Sequence, residues 1–158
     1  MSALKEIVEW IGMELYCKDT YGRLASLTDN PYASRVLLWL SEACGNHAEN
    51  LKYILKLMGW EIPDQSFKPQ NPLKDEPHSF SCDVEEIYWT AKSYLSVEKR
   101  MRDIYGKLSR EVGHPEAKRI LEKIVKEEEN HYAELSQLVE VFEKIYTNLR
   151  ETKEAMEA

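Results

Sequence analysis

Glu98, Glu128 and His131 are residue types that bind cations, and their spacing places them together. Glu128 and His131 stand three residues apart, so on a helix both side chains leave the same face. Glu98 sits among Tyr94, Leu95, Met101 and Tyr105, a setting that turns it toward a core. A buried carboxylate is costly unless it is protonated, paired or bound to a cation. Three such groups in one core are best explained by a metal ion. Carboxylate oxygen with imidazole nitrogen suits iron, manganese or zinc better than calcium or magnesium.

The same set recurs, incompletely, at a constant offset of 84 residues. Glu14 and Tyr21 answer Glu98 and Tyr105, and His47 answers His131. Asp19/Asp103, Gly22/Gly106, Pro31/Pro115, Arg35/Arg119 and Asn46/Asn130 keep the same step. One member is broken: Cys44 stands where Glu128 stands in the second half. A lone Glu-x-x-His would suggest a surface pair, but the duplication of the wider set in one register points to a core site.

The elements that must position these residues are helices. From about residue 4 to 27, Ile7, Trp10, Ile11, Leu15, Cys17, Tyr21 and Leu24 recur at helical spacing, with Glu14 the polar exception. Asp29-Asn30-Pro31 marks a turn. A second helix is expected over about 33–58, with Cys44 and His47 on its inner side and Gly59 as its stop. Residues 60–82 hold four of the six prolines and little periodicity. That connector is long enough to run back along a helix of roughly 40 Å. Helices over about 83–112 and 115–148 follow, with 151–158 as a polar tail. The expectation is a single all-α domain over 1–150, a four-helix bundle of two antiparallel pairs joined by a long crossover. That is the ferritin-like topology, whose di-metal sites draw a Glu from each of two helices and a Glu-x-x-His from each of the others.

Glu14 with Tyr21, Glu98 with Tyr105, and Glu128-x-x-His131 give the chain a resemblance to the rubrerythrin-like members of the ferritin-like di-iron carboxylate superfamily, over roughly residues 5–148. The resemblance implies two metal ions, iron before manganese or zinc, held by Glu14, His47, Glu98, Glu128 and His131. Glu98 or Glu128 would bridge them, and Tyr21 and Tyr105 would donate hydrogen bonds to ligand carboxylates. It also implies an oxidoreductase acting on peroxide or dioxygen, or oxidising ferrous iron, in a homo-oligomer with the dimer favoured. No rubredoxin-like CxxC module appears in this sequence, so an external electron donor is expected.

Cys44 departs from the family pattern, and Cys17 lies three residues from Glu14, near the same half-site. Three arrangements are open there: a thiol-containing metal site, a Cys17–Cys44 disulfide or redox pair, or an empty metal position flanked by buried cysteines. Two functional rivals follow, a degenerate or mononuclear metal-binding bundle with a structural or binding role, and a thiol-based redox sensor. The flanking Glu127 and Glu129 are expected to be solvated, and His78 and His114 to be structural. Cys82 carries no functional expectation.

Composition bounds the alternatives. With 31% charged and 43% hydrophobic residues, the chain is of ordinary globular type. A net charge of −7, with its Lys and Arg interleaved among acids, argues against a nucleic-acid partner. No apolar run approaches the roughly 18–20 residues that span a bilayer. The opening MSALKEIVEW lacks a signal-peptide core, which favours the cytoplasm.

Overall fold

A computed structural model describes residues 2–73 and 79–158; residues 74–78 of the connector, with His78, lie outside that description. Four long helices make the fold: α1 (Ala3–Ser26), α2 (Pro31–Leu57), α3 (Asp83–Glu111) and α4 (Pro115–Glu157), with one 3₁₀ turn at Asp64–Ser66. No strand occurs among the described residues. The chain is an all-α, ferritin-like four-helix bundle.

The helix starts are built alike in the two halves. The Asn30 side chain accepts from the Ala33 N–H, and Pro31 opens α2. His114 Nδ1 accepts from the Ala117 N–H, and Pro115 opens α4. Each cap satisfies one orphan N–H, and each proline occupies a position where no N–H is needed. α2 stops at Gly59, whose φ of 83° suits glycine, while the Trp60 N–H reaches back to the Leu55 carbonyl. α4 runs nine residues past the expected end at 148, to Glu157. That segment is rich in helix formers, and Arg150 and Glu154 face each other one turn apart at 3.9 Å.

α1 packs chiefly on α2 and α3 on α4, while the pairs meet through α2 with α4 and α1 with α3. Lys107 near the end of α3 pairs with Glu6 near the start of α1, and Arg23 near the end of α1 pairs with Glu86 near the start of α3. Those helices are therefore antiparallel. α3 begins at the end of the bundle where α2 begins, so the connector must travel its length. It does so along α1, where the Gln70 N–H donates to the Gly12 carbonyl at 2.9 Å. A Cβ on Gly12 would lie 2.6 Å from the Lys68 carbonyl oxygen, so only glycine admits the connector this closely.

Candidate metal centre

The inward faces of the four helices carry apolar side chains to the bundle axis, and at mid-height that pattern is interrupted by acids and histidines. Glu14 (α1), His47 (α2), Glu98 (α3), and Glu128 and His131 (α4) are all at most 2% exposed. Glu128 lies between the histidines. Its Oε1 is 2.8 Å from His47 Nδ1 and its Oε2 is 3.6 Å from His131 Nδ1. Glu14 Oε1 is 3.5 Å from His47 Nδ1, and Glu98 Oε2 is 3.8 Å from His131 Nδ1. The imidazole rings stack with centroids 5.3 Å apart.

Proximity here is not mutual satisfaction. His47 Nδ1 makes no aligned hydrogen bond despite its short distance to Glu128. Six buried side-chain polar atoms lack a hydrogen-bond partner among the described residues, and five belong to this cluster: Glu14 Oε2, His47 Nδ1, Glu98 Oε2, Glu128 Oε2 and His131 Nδ1. Native cores leave few such atoms. Five such atoms gathered in one cluster are a donor set that a shared cation would satisfy. The donor set, three carboxylates and two imidazoles, fits a divalent transition metal. His47, Glu128 and His131 each offer a ligand atom within 4.8 Å of the others.

The tyrosines cross between helices. Tyr21 of α1 donates to Glu98 Oε1 on α3 at 2.6 Å, and Tyr105 of α3 donates to Glu14 Oε1 on α1 at 2.7 Å. Each serves the glutamate of the opposite helix rather than the one seven residues before it. Burial, then the charge of the bonded glutamate, pushes both phenols well above their ordinary range. They remain donors, and each leaves the other carboxylate oxygen free to face the centre.

Glu127 corrects the sequence reading. Expected to be solvated, it is partly buried, and its Oε2 lies 2.7 Å from His47 Nε2. Adjacent helical positions diverge by about 100°, so Glu127 sits at the rim of the face that carries Glu128. It reaches across to α2 instead of to solvent. The residue 84 earlier is Ala43, so His131 has no matching carboxylate. Its ring meets the edge of Trp39 instead, with centroids 4.9 Å apart.

Without a cation this cluster holds protons. Burial, reinforced by Glu128, raises the Glu98 carboxyl well above the carboxylate range, and burial raises Glu128 as well. Burial alone would lower His47, but Glu14, Glu127 and Glu128 outweigh it and push it up to about 12. Burial prevails at His131 and lowers it. The bond from His47 lowers Glu127. Cys17 and Cys44 are buried free thiols. Burial pushes Cys17 up to about 11; its neighbour Cys17, then burial, pushes Cys44 well above its ordinary value. Cys82 is exposed at the α3 N-cap.

The Rubrerythrin family model matches residues 11–139. The chain belongs to the rubrerythrin family. Every member of the cluster lies inside the matched span, from Glu14 of this rubrerythrin-family chain to His131. Comparison with curated proteins and with solved structures gives no match. No described helix of this family member is long and apolar enough to cross a membrane.

Proposed function

We propose that the chain is a di-metal oxidoreductase of rubrerythrin type, holding two iron ions and acting on hydrogen peroxide or dioxygen, or oxidising ferrous iron. The observation that carries this reading is the set of five orphaned donor atoms, contributed by all four helices at one level of the core. In it, Glu14, His47, Glu98, Glu128 and His131 are the ligands. Glu128 would stand at the middle of that set, because its two oxygens face different histidines.

When bound, such a pair of ions supplies electrons and open positions for a small oxidant. The protein's part is to hold the donors and shed protons. Tyr21 and Tyr105 each bind one oxygen of a carboxylate and leave the other turned inward. Glu127 fixes the tilt of His47 by accepting from Nε2, which directs Nδ1 at the cluster. Tyr94 and Met101, one turn either side of Glu98, and Leu135, one turn beyond His131, are buried apolar or aromatic neighbours that keep water from these stretches of helix. A depression of about 300 Å³ between α2 and α4, lined by Trp39, Asn46, Glu127, Asn130 and His131, brings the surface to the histidine side. A homodimer and an external electron donor complete the proposal. Exposed Leu38, Trp39 and Tyr132 offer apolar surface on α2 and α4 for self-association.

A second reading has its own support. His47, Glu128 and His131 suffice for a single cation, and Cys44 in place of a fourth carboxylate weakens the α1–α2 half. A mononuclear, structural centre follows from that. Metal analysis of protein purified with and without oxygen separates the two. About two iron ions per chain supports the di-metal oxidoreductase, one supports the mononuclear centre, and no iron, manganese or zinc under either condition sinks both.

A further inference from the structure

Cys17 and Cys44 are buried, oxidisable thiols that the proposed ligand set leaves unused. α1 and α2 run antiparallel, so three residues forward from Glu14 and three back from His47 lead to one level of the bundle. Glu14 and His47 already approach to 3.5 Å, which brings Cys17 and Cys44 face to face one helical turn further on. Neighbouring contacts keep this register: Ser41 Oγ donates to the Lys18 carbonyl at 2.8 Å, and Gly45 lies against the Lys18 side chain. The two thiols are 1% and 2% exposed, so solvent-borne reagents do not meet them directly. The corresponding positions of the other half are Met101 and Glu128, so the dithiol belongs to the α1–α2 half alone.

We propose that Cys17 and Cys44 are an internal two-electron donor for hydrogen peroxide admitted to the metal centre. Two S–H bonds and the O–O bond break as one S–S bond forms between α1 and α2. The sulfurs give up two electrons to the peroxide oxygens, and the two thiol protons complete two waters. Cysteines on facing turns of two packed helices are placed for a bond that spans about 4–7 Å between Cα atoms. The pair occupies the half-site that lacks a fourth carboxylate, so there a ligand is exchanged for a reductant. This rests on the metal-centre reading, because the buried pair borders that cluster and not solvent.

The test uses anaerobic, ferrous-loaded protein without added reductant, given two equivalents of hydrogen peroxide, one for the iron pair and one for the thiols. The protein is then unfolded, alkylated and mapped by mass spectrometry. Free thiols are expected to fall from three to one, with Cys82 alkylated and Cys17 linked to Cys44. Metal-free protein should form the link far more slowly, and C17S and C44S, each checked for metal content, should form none. Peroxide consumed by loaded protein with all three thiols intact overturns the proposal and leaves the metal centre standing. Equal oxidation of metal-free protein, or cross-links through Cys82, also overturns it. Failure to bind metal overturns both it and the reading beneath it.

Discussion

His47 is held from two sides, and the outer side is the one the sequence conceals. Nδ1 faces Glu14 and Glu128, while Nε2 bonds to Glu127 at 2.7 Å. A carboxylate on the far nitrogen of a ligating imidazole fixes its tautomer and raises its basicity. Loss of such a partner typically weakens metal binding by about 10–100-fold. Glu127→Ala is therefore expected to lower metal affinity by about that factor, and Glu127→Gln by less, since the amide oxygen still accepts. Titration against a competing chelator measures both. Unchanged affinity in the alanine variant would reduce Glu127 to a surface ion paired with Lys123. Ala43 in the corresponding place means the two histidines are not equivalent.

At the scale of the elements, the connector is as much a part of the bundle as the helices it joins. It is held to mid-α1 through Gln70 and to α3 through Arg100, whose guanidinium donates to the Pro72 carbonyl at 2.9 Å. Gly12 permits the first contact. In an open helix interior, replacing glycine by alanine stabilises by roughly 0.5–1 kcal/mol. At Gly12 the new methyl would meet backbone at 2.6 Å, and overpacking of that kind costs roughly 1–3 kcal/mol. Gly12→Ala is thus expected to destabilise. Gly106→Ala, where the nearest atom stands 3.8 Å away on the flexible Arg110 side chain, is expected to stabilise. Urea denaturation of the two variants checks the contrast, and equal shifts would show that the connector does not rest on α1.

At the scale of the whole molecule, the buried cluster makes stability depend on pH and metal together. Glu98 and Glu128 have raised folded-state values, so above about 4.5 the unfolded chain releases protons that the folded chain keeps. Each carboxyl therefore costs stability as pH rises. His47, at 6.5 when unfolded and about 12 when folded, contributes fully below 6.5 and loses that contribution as pH climbs toward 12. His131, lowered on folding, opposes this only below 6.5. The melting temperature of metal-free protein should accordingly fall from about pH 6.5 to about pH 9. A cation takes the place of those protons, so its stabilising effect should grow over the same interval. Thermal melts with and without ferrous ion measure both trends. A flat metal-free profile would mean that the cluster is not proton-loaded.

The 84-residue offset, helical periodicity and proline-rich connector determined four helices, their pairing and the inward glutamates and histidines, because these depend on which face of a helix a residue occupies. Spacing along one helix does not say what stands opposite it. The crossing of Tyr21 to Glu98 and Tyr105 to Glu14, the placement of Glu128 between two histidines, and the reach of Glu127 to His47 were settled only by helices packing side by side. Glu127 was hidden for a further reason. It neighbours the inward face without lying on it, and a rim position acquires its role from the distance to the next helix. The offset against Ala43 was the one sequence signal that distinguished it. Helical stop signals also failed at the C-terminus, where strong helix formers carried α4 through the polar segment to Glu157. Chemistry by residue type belonged to the chain; which atoms were left without partners, and so turned toward a common centre, belonged to the packing.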